Sequence, residues 1–130
     1  SRESMASIYN SLDVLLSCSR AEGFGVPIIE AQACGTPAIA TNFTSMTELA
    51  NFVVRPASLV WTPLNSWQCI PDVGGIAEEL EQVYTRTKDG TLDREAISQY
   101  AQVYALHNVM KDHFYFLIEN YNIIQIYLDF

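Results

Sequence analysis

Short, nearly unbroken apolar runs alternate along this chain with stretches whose apolar residues recur every three to four positions. The run Val14-Leu15-Leu16-Ser17-Cys18 predicts a strand buried on both faces of a parallel sheet. Pro37-Ala38-Ile39-Ala40-Thr41 predicts a second strand, and Ser58-Leu59-Val60-Trp61-Thr62 a third, stopped by Pro63. Between and after them lie helical patterns. Met5, Ile8, Tyr9 and Leu12 share a helical spacing with Ser1 or Ser4 as cap, and Ser45 with Glu48 suits the start of a short helix through Ala50. Asp72 precedes an amphipathic segment, Val73 to Arg86, with Ile76, Leu80, Val83 and Tyr84 on one side and Gly74-Gly75 weakening its first turn. Asp93 opens another, through Ile97, Tyr100, Ala101 and Tyr104. Leu64 to Asp72 and Lys88 to Thr91 read as a loop and a turn. This alternation predicts an α/β fold with a doubly wound parallel sheet, its remaining strands supplied from outside the chain.

The stretch Glu22 to Pro37 is where chemistry concentrates. Gly23 and Gly25 free the backbone to take positive φ and to approach a ligand closely. Pro27 pre-sets the first helical turn, and Gly35-Thr36-Pro37 ends the helix that runs through Cys34. A helix start with unpaired N–H groups suits an anion, and two carboxylates, Glu22 and Glu30, flank it. Taken singly, each piece has a plainer reading. A Gly-x-Gly turn often just connects strand to helix, Glu30 is an acid favoured by the helix dipole, and Cys34 is a small apolar residue.

Together, Glu22-Gly-Phe-Gly-Val-Pro-Ile-Ile-Glu30 and the closing Ala-Cys-Gly-Thr-Pro resemble the C-terminal nucleotide-sugar domain of retaining GT-B glycosyltransferases, group 1 (family 4), with their Glu-x7-Glu signature. The lead-in Ile8 to Val14 is also similar to that family's approach to this strand. The resemblance implies a Rossmann-like half of a GT-B fold, truncated on its N-terminal side, since the family's diphosphate-binding Arg and Lys come from an upstream segment. It implies a partial donor-binding domain over residues 1–122 and an apolar tail, 123–130, that packs on an N-terminal domain of the same full-length chain. It implies transfer of a hexose, mannose or glucose, from a nucleotide-diphosphate sugar with retention of configuration. Glu22 would lie by the donor sugar as the catalytic residue. Glu30 would receive the ribose hydroxyls, and the loop Gly23, Phe24, Gly25 and Val26 would bind the diphosphate and sugar oxygens. The acceptor would be a glycan, a lipid-linked species or a small molecule. Metal-independence and no cofactor follow from the same likeness, as does a cytoplasmic location, at most peripheral at a membrane surface. The alternative is a non-catalytic nucleotide- or sugar-binding module that kept the loop.

Composition narrows the rest. The chain has 130 residues, enough for one domain with a core, and 49% are apolar, which argues for a globular chain. A net charge of −8 argues against nucleic acid as a partner and sits awkwardly with a diphosphate, because a helix dipole offers only about half a charge. Three cysteines, an odd number, suit a reducing compartment. No Asp-x-Asp, Walker loop, serine elbow or zinc spacing occurs, and the third glycine of a dinucleotide fingerprint is Ile28 instead. His107 and His113 are too far out of phase to ligate a metal from one helical face, so structural roles suit them better. From Leu106 onward, Val109, Met110, Phe114, Leu117, Ile118 and Tyr121 keep a helical spacing, and Ile123 to Phe130 is too apolar to lie free in water.

Overall fold

The computed structural model describes residues 2–115. Three strands, β1 (Leu15–Ser17), β2 (Ala38–Thr41) and β3 (Phe52–Val54), pair in parallel in that order. The first crossover carries α2 (Val26–Ala33) and the second α3 (Met46–Leu49). Before β1 runs α1 (Arg2–Asn10); after the sheet come α4 (Val73–Lys88), α5 (Arg94–Ala101), a 3-10 turn Gln102–Tyr104, α6 (Leu106–Val109) and a π-helical turn Met110–Phe114. The result is a mixed α/β fold with a parallel sheet, which fits a Rossmann-like fragment.

Strand alternation explains how helices cover both faces. On β2, Ala38 and Ala40 point to one side, where they pack with Ile28 of α2 and with Met46 and Leu49 of α3. Ile39 points to the other side and meets Val54 and Val83 of α4. All four residues of β2 are buried, as a central parallel strand requires. The small alanines let α2 approach closely while Ile39 fills the opposite layer.

The third sheet strand is not where the pattern placed it. Leu59–Thr62 does not join the parallel sheet. It belongs to β4 (Pro56–Trp61), which pairs antiparallel with β5 (Trp67–Pro71) as a separate hairpin. The parallel position is taken by Phe52–Val54, a strand too short to show a period. The segment Leu64 to Asp72 is likewise only partly a loop: Trp61 and Trp67 pair across the hairpin with ring centroids 5.3 Å apart, and Asn65 at φ 53 closes the turn.

Caps follow the residues. Asp72 accepts from the N–H of Gly74 and Asp93 from that of Ala96. Helix α2 ends in a Schellman motif: Gly35 at φ 75 donates to Gln32 O at 2.8 Å and Thr36 N–H to Ala31 O at 3.0 Å. Ser4 lies within α1 and does not cap it, Ser1 is outside the described residues, and Ser45 precedes α3 without a side-chain cap bond. Tyr84 departs from the expected inner face of α4; it is exposed, with the Lys88 ammonium over its ring. The boundary at residue 122, the tail 123–130, Leu117, Ile118 and Tyr121 lie outside the described residues.

The two adjacent glycines of α4 differ sharply. A Cβ on Gly75 would stand 2.6 Å from Cγ1 of buried Val54, whereas one on Gly74 would meet only an Asp72 carboxylate oxygen at 3.4 Å. Gly75→Ala is expected to destabilise: overpacking costs about 1–3 kcal/mol and outweighs the helix-propensity gain of about 1 kcal/mol. Gly74→Ala is expected to stabilise, by about 0.4–1 kcal/mol. Urea unfolding of both variants checks the pair; a more stable Gly75→Ala would mean that α4 does not press on β3 as described.

Candidate functional site

The loop from Ser19 to Gly25 leaves the carboxyl end of β1, where open α/β sheets hold ligands. Its last residue, Gly25, adopts φ 94 and ψ 45 and begins α2. Among the described residues, the N–H groups of Phe24, Gly25 and Val26 have no protein acceptor, while Ile28 N–H turns back to Gly25 O at 3.0 Å. Pro27, second in the helix, contributes no N–H. Gly25 is also tightly seated: a Cβ there would lie 3.2 Å from Ile28 Cδ1 and 3.4 Å from Leu49 Cδ1. Gly23 needs none of this freedom, since it takes no positive φ and a Cβ there would meet nothing within 4 Å.

The two carboxylates are held by different parts of the fold. Glu22 is fixed from three directions. The Ser19 hydroxyl donates to its Oε1 at 2.6 Å, its N–H donates to Thr44 Oγ1 at 3.1 Å, and its carbonyl accepts from Ser45 Oγ at 3.2 Å. Thr44 holds its position at φ 55, a costly conformation for a β-branched residue. Glu30 stands exposed on the second turn of α2, with the Tyr9 hydroxyl donating to its Oε2 at 3.0 Å. Phe24 and Val26 are about half exposed, and the Phe24 ring meets Tyr104 edge-on at 6.0 Å.

Ser19, Thr44, Ser45 and Tyr9 are site residues that the sequence pattern does not single out. Ser45 was legible only at a helix start and Thr44 not at all, because their partner lies more than twenty positions upstream. Beneath the site, buried Gln32 bridges α2 to the start of β3, donating to Leu49 O at 2.8 Å and accepting from Asn51 N–H at 2.9 Å.

A cleft of about 560 Å³ lies elsewhere, between Asp13-Val14 and Leu80, Tyr84 and Lys88 of α4. It opens at the amino end of β1, the wrong end for a ligand of the glycine loop. Among the described residues no group of His, Cys, Asp and Glu could hold a metal ion, and His107 and His113 are both exposed. No helix among the described residues is long and apolar enough to cross a membrane.

Burial makes the chain sensitive to alkali. It pushes the Cys18 and Cys69 thiols above their ordinary 9.0 and the Tyr9 and Tyr104 phenols above 10.0; Glu30 adds to the shift at Tyr9. Each group keeps its proton longer when folded than when unfolded. Stability from this source is therefore complete below the unfolded values and falls as pH rises through them. From these groups the melting temperature is expected to lose nothing below about pH 8.5 and to decline above it, with Tyr9→Phe flattening the steeper part beyond about pH 10. A melting temperature that climbs across that range would contradict the burial of these groups.

Residues 1–53 match the family model described as glycosyl transferases, group 1. The chain is similar to D-inositol 3-phosphate glycosyltransferase of Paenarthrobacter aurescens, 53% identical over 38 residues, which are 29% of this chain and 9% of that protein. It is also similar to O-antigen chain mannosyltransferase B of Escherichia coli, 39% identical over 61 residues, 47% of this chain and 15% of that protein. The D-inositol 3-phosphate glycosyltransferase of Mycolicibacterium smegmatis is 45% identical over 40 residues, 31% of this chain and 9% of that protein. The chain therefore matches only a small part of the length of these curated relatives.

Proposed function

We propose that this chain is the donor-binding part of a retaining glycosyltransferase of GT-B architecture with a doubly wound sheet. In that reading it transfers mannose or glucose from a nucleotide-diphosphate sugar, without a metal, together with an N-terminal domain of the same protein. The observation that carries it is the overlap of the matched residues 1–53 with a loop at the carboxyl edge of the sheet whose N–H groups are free, which holds Glu22 and opens the helix that carries Glu30.

The chemistry divides among these groups. The N–H groups of Phe24, Gly25 and Val26 face the charge that gathers on the departing nucleotide diphosphate, and they need no reorganisation to do so. The dipole of α2 adds about half a charge, too little alone for a diphosphate, so basic residues from outside this chain complete the site. Glu30, steadied by Tyr9, takes the ribose hydroxyls. Glu22 lies against the donor sugar, where its charge favours the positive charge developing at the anomeric carbon. The acceptor is a glycan, a lipid-linked species or a small molecule, and the setting is cytoplasmic, at most peripheral to a membrane.

A thermal-shift panel of nucleoside diphosphates tests the reading. One of them should raise the melting temperature, because ligand at 100 times its dissociation constant stabilises by about 2.7 kcal/mol. Glu30→Ala should weaken that nucleotide by about 1.5–3 kcal/mol, as expected for lost charged hydrogen bonds. If no nucleotide shifted the transition in the full-length protein, the donor reading would fail. Nucleotide binding without any sugar transfer would instead favour a non-catalytic module.

A further inference from the structure

We propose that Trp61 and Trp67 form a subsite for an uncharged pyranose unit of the substrate, continuous with the glycine loop; this rests on the glycosyl-transfer reading. The first observation is where the hairpin sits. Cys69 of β5 donates its N–H to Arg20 O at 2.9 Å, its thiol reaches Ser19 O at 3.6 Å, and Arg20 Nε donates to Cys69 O at 3.4 Å. Ser19 is the residue whose hydroxyl holds Glu22. The hairpin is thus tied to the segment that leads into the candidate site.

The second observation is which face the tryptophans occupy. The register pairs Leu59 with Cys69 and Trp61 with Trp67, so strand alternation puts all four on one face of the hairpin. On this face only Cys69 is buried, its thiol against Ser19 O at the carboxyl end of β1, while Leu59 opposite it is 49% exposed. Two residues further on, roughly 7 Å along the strand, the same face presents the two indoles, 56% and 55% exposed. Their planes meet at 71°, which makes an aromatic corner with a floor and a wall.

The third observation is chemical. From Pro56 to Pro71 there is no charged side chain, in a chain of net charge −8. The turn instead carries neutral hydrogen-bonding groups, including Thr62 and Ser66, whose hydroxyl oxygens are 3.2 Å apart. A pyranose has the complementary make-up: an apolar face of C–H bonds, attracted to the negative face of an indole, and a rim of neutral hydroxyls. Between Pro56 and Pro71 a phosphate or carboxylate finds no counter-charge; the cation at the hairpin's edge, Arg20, is engaged by the Cys69 carbonyl. A bilayer would suit exposed tryptophans too, but the acidic chain would be repelled by anionic lipid.

These two residues are the chain's only tryptophans, so their indole N–H signals report on this corner alone. In the 130-residue chain, with Trp61→Phe and Trp67→Phe assigning the two peaks, neutral manno- and gluco-oligosaccharides are titrated and the indole resonances followed. The expected result is a saturable shift of both peaks, with the apparent affinity at least tenfold weaker in Trp61→Ala. Unmoved indoles throughout the titration would overturn the proposal. So would an equal response to nucleoside diphosphate alone, which would make the pair a base platform, or a response only to phosphatidylcholine vesicles. The amides of Phe24, Gly25 and Val26, followed in a separate nucleotide titration, keep the two readings apart. Shifted loop amides with silent indoles leave the donor reading standing and remove this one; the reverse removes the donor reading and keeps the sugar corner.

Discussion

Replacing Glu22 by alanine in the full-length protein is expected to lower kcat by roughly 100-fold or more, while affinity for the free nucleoside diphosphate stays nearly unchanged. The reason lies in what Glu22 touches. Its backbone is tied at both ends, by Thr44 Oγ1 and Ser45 Oγ, and its carboxylate by Ser19, so the charge is held in place before substrate arrives. In the proposed donor site a fixed negative charge would stabilise an anomeric centre that becomes positive only on the way to the transition state, so its loss should fall on kcat more than on ground-state binding. Glu22→Gln separates charge from placement. It can still accept from Ser19, so positioning survives, and the defect should stay close to that of the alanine variant if charge is what matters. Wild-type turnover in both variants would remove Glu22 from the mechanism.

How much of this was legible in the sequence depends on whether neighbours along the chain or across it decide. The strands β1 and β2 were legible as apolar runs, though only β2 is buried on both faces; β1 lies at the edge with Leu16 46% exposed, so its expected two-sided burial does not hold. The start and stop of α2 were legible because Gly25 and Gly35 sit where positive φ is needed. The strand Phe52–Val54 was not. Three residues cannot display a period, and what makes them a strand is pairing with Ile39 to Thr41. The hairpin strand Trp67–Pro71 was hidden by Pro63, Asn65 and Ser66, residues typical of loops, although two tryptophans placed symmetrically about them hint at a cross-strand pair. At the site the carboxylates and glycines stood out, but their supports did not. Tyr9 reaches Glu30, and Thr44 and Ser45 reach Glu22, across separations of 21 to 23 positions. On α1, Met5 and Ile8 follow the helical spacing yet remain 43% and 52% exposed, so periodicity marked an apolar face without showing what covers it.

Substituting Gly25 and Ile28 singly and together is expected to give a double variant that costs less than the sum of its parts. Ile28→Ala alone removes a fully buried side chain from the layer between α2, β2 and α3, worth about 2–5 kcal/mol. Against a total stability of about 5–15 kcal/mol for a domain, that is a large share. Gly25→Ala alone has two costs. The left-handed conformation at φ 94 penalises any Cβ by about 1–2 kcal/mol, and the new methyl stands 3.2 Å from Ile28 Cδ1. The backbone penalty is independent of residue 28, but the collision is not. Truncating Ile28 removes both the Cδ1 atom and the Cγ1 atom at 3.9 Å, leaving only an ordinary contact with Leu49 Cδ1 at 3.4 Å. The methyl introduced at position 25 then borders the space that Ile28 vacates. Denaturant unfolding of the four proteins in the cycle should therefore show a coupling of about 0.5 kcal/mol or more in favour of the double variant. Strict additivity would show that Ile28 does not support the turn of Gly25, and the loop would then owe its shape to the ties at Glu22 alone.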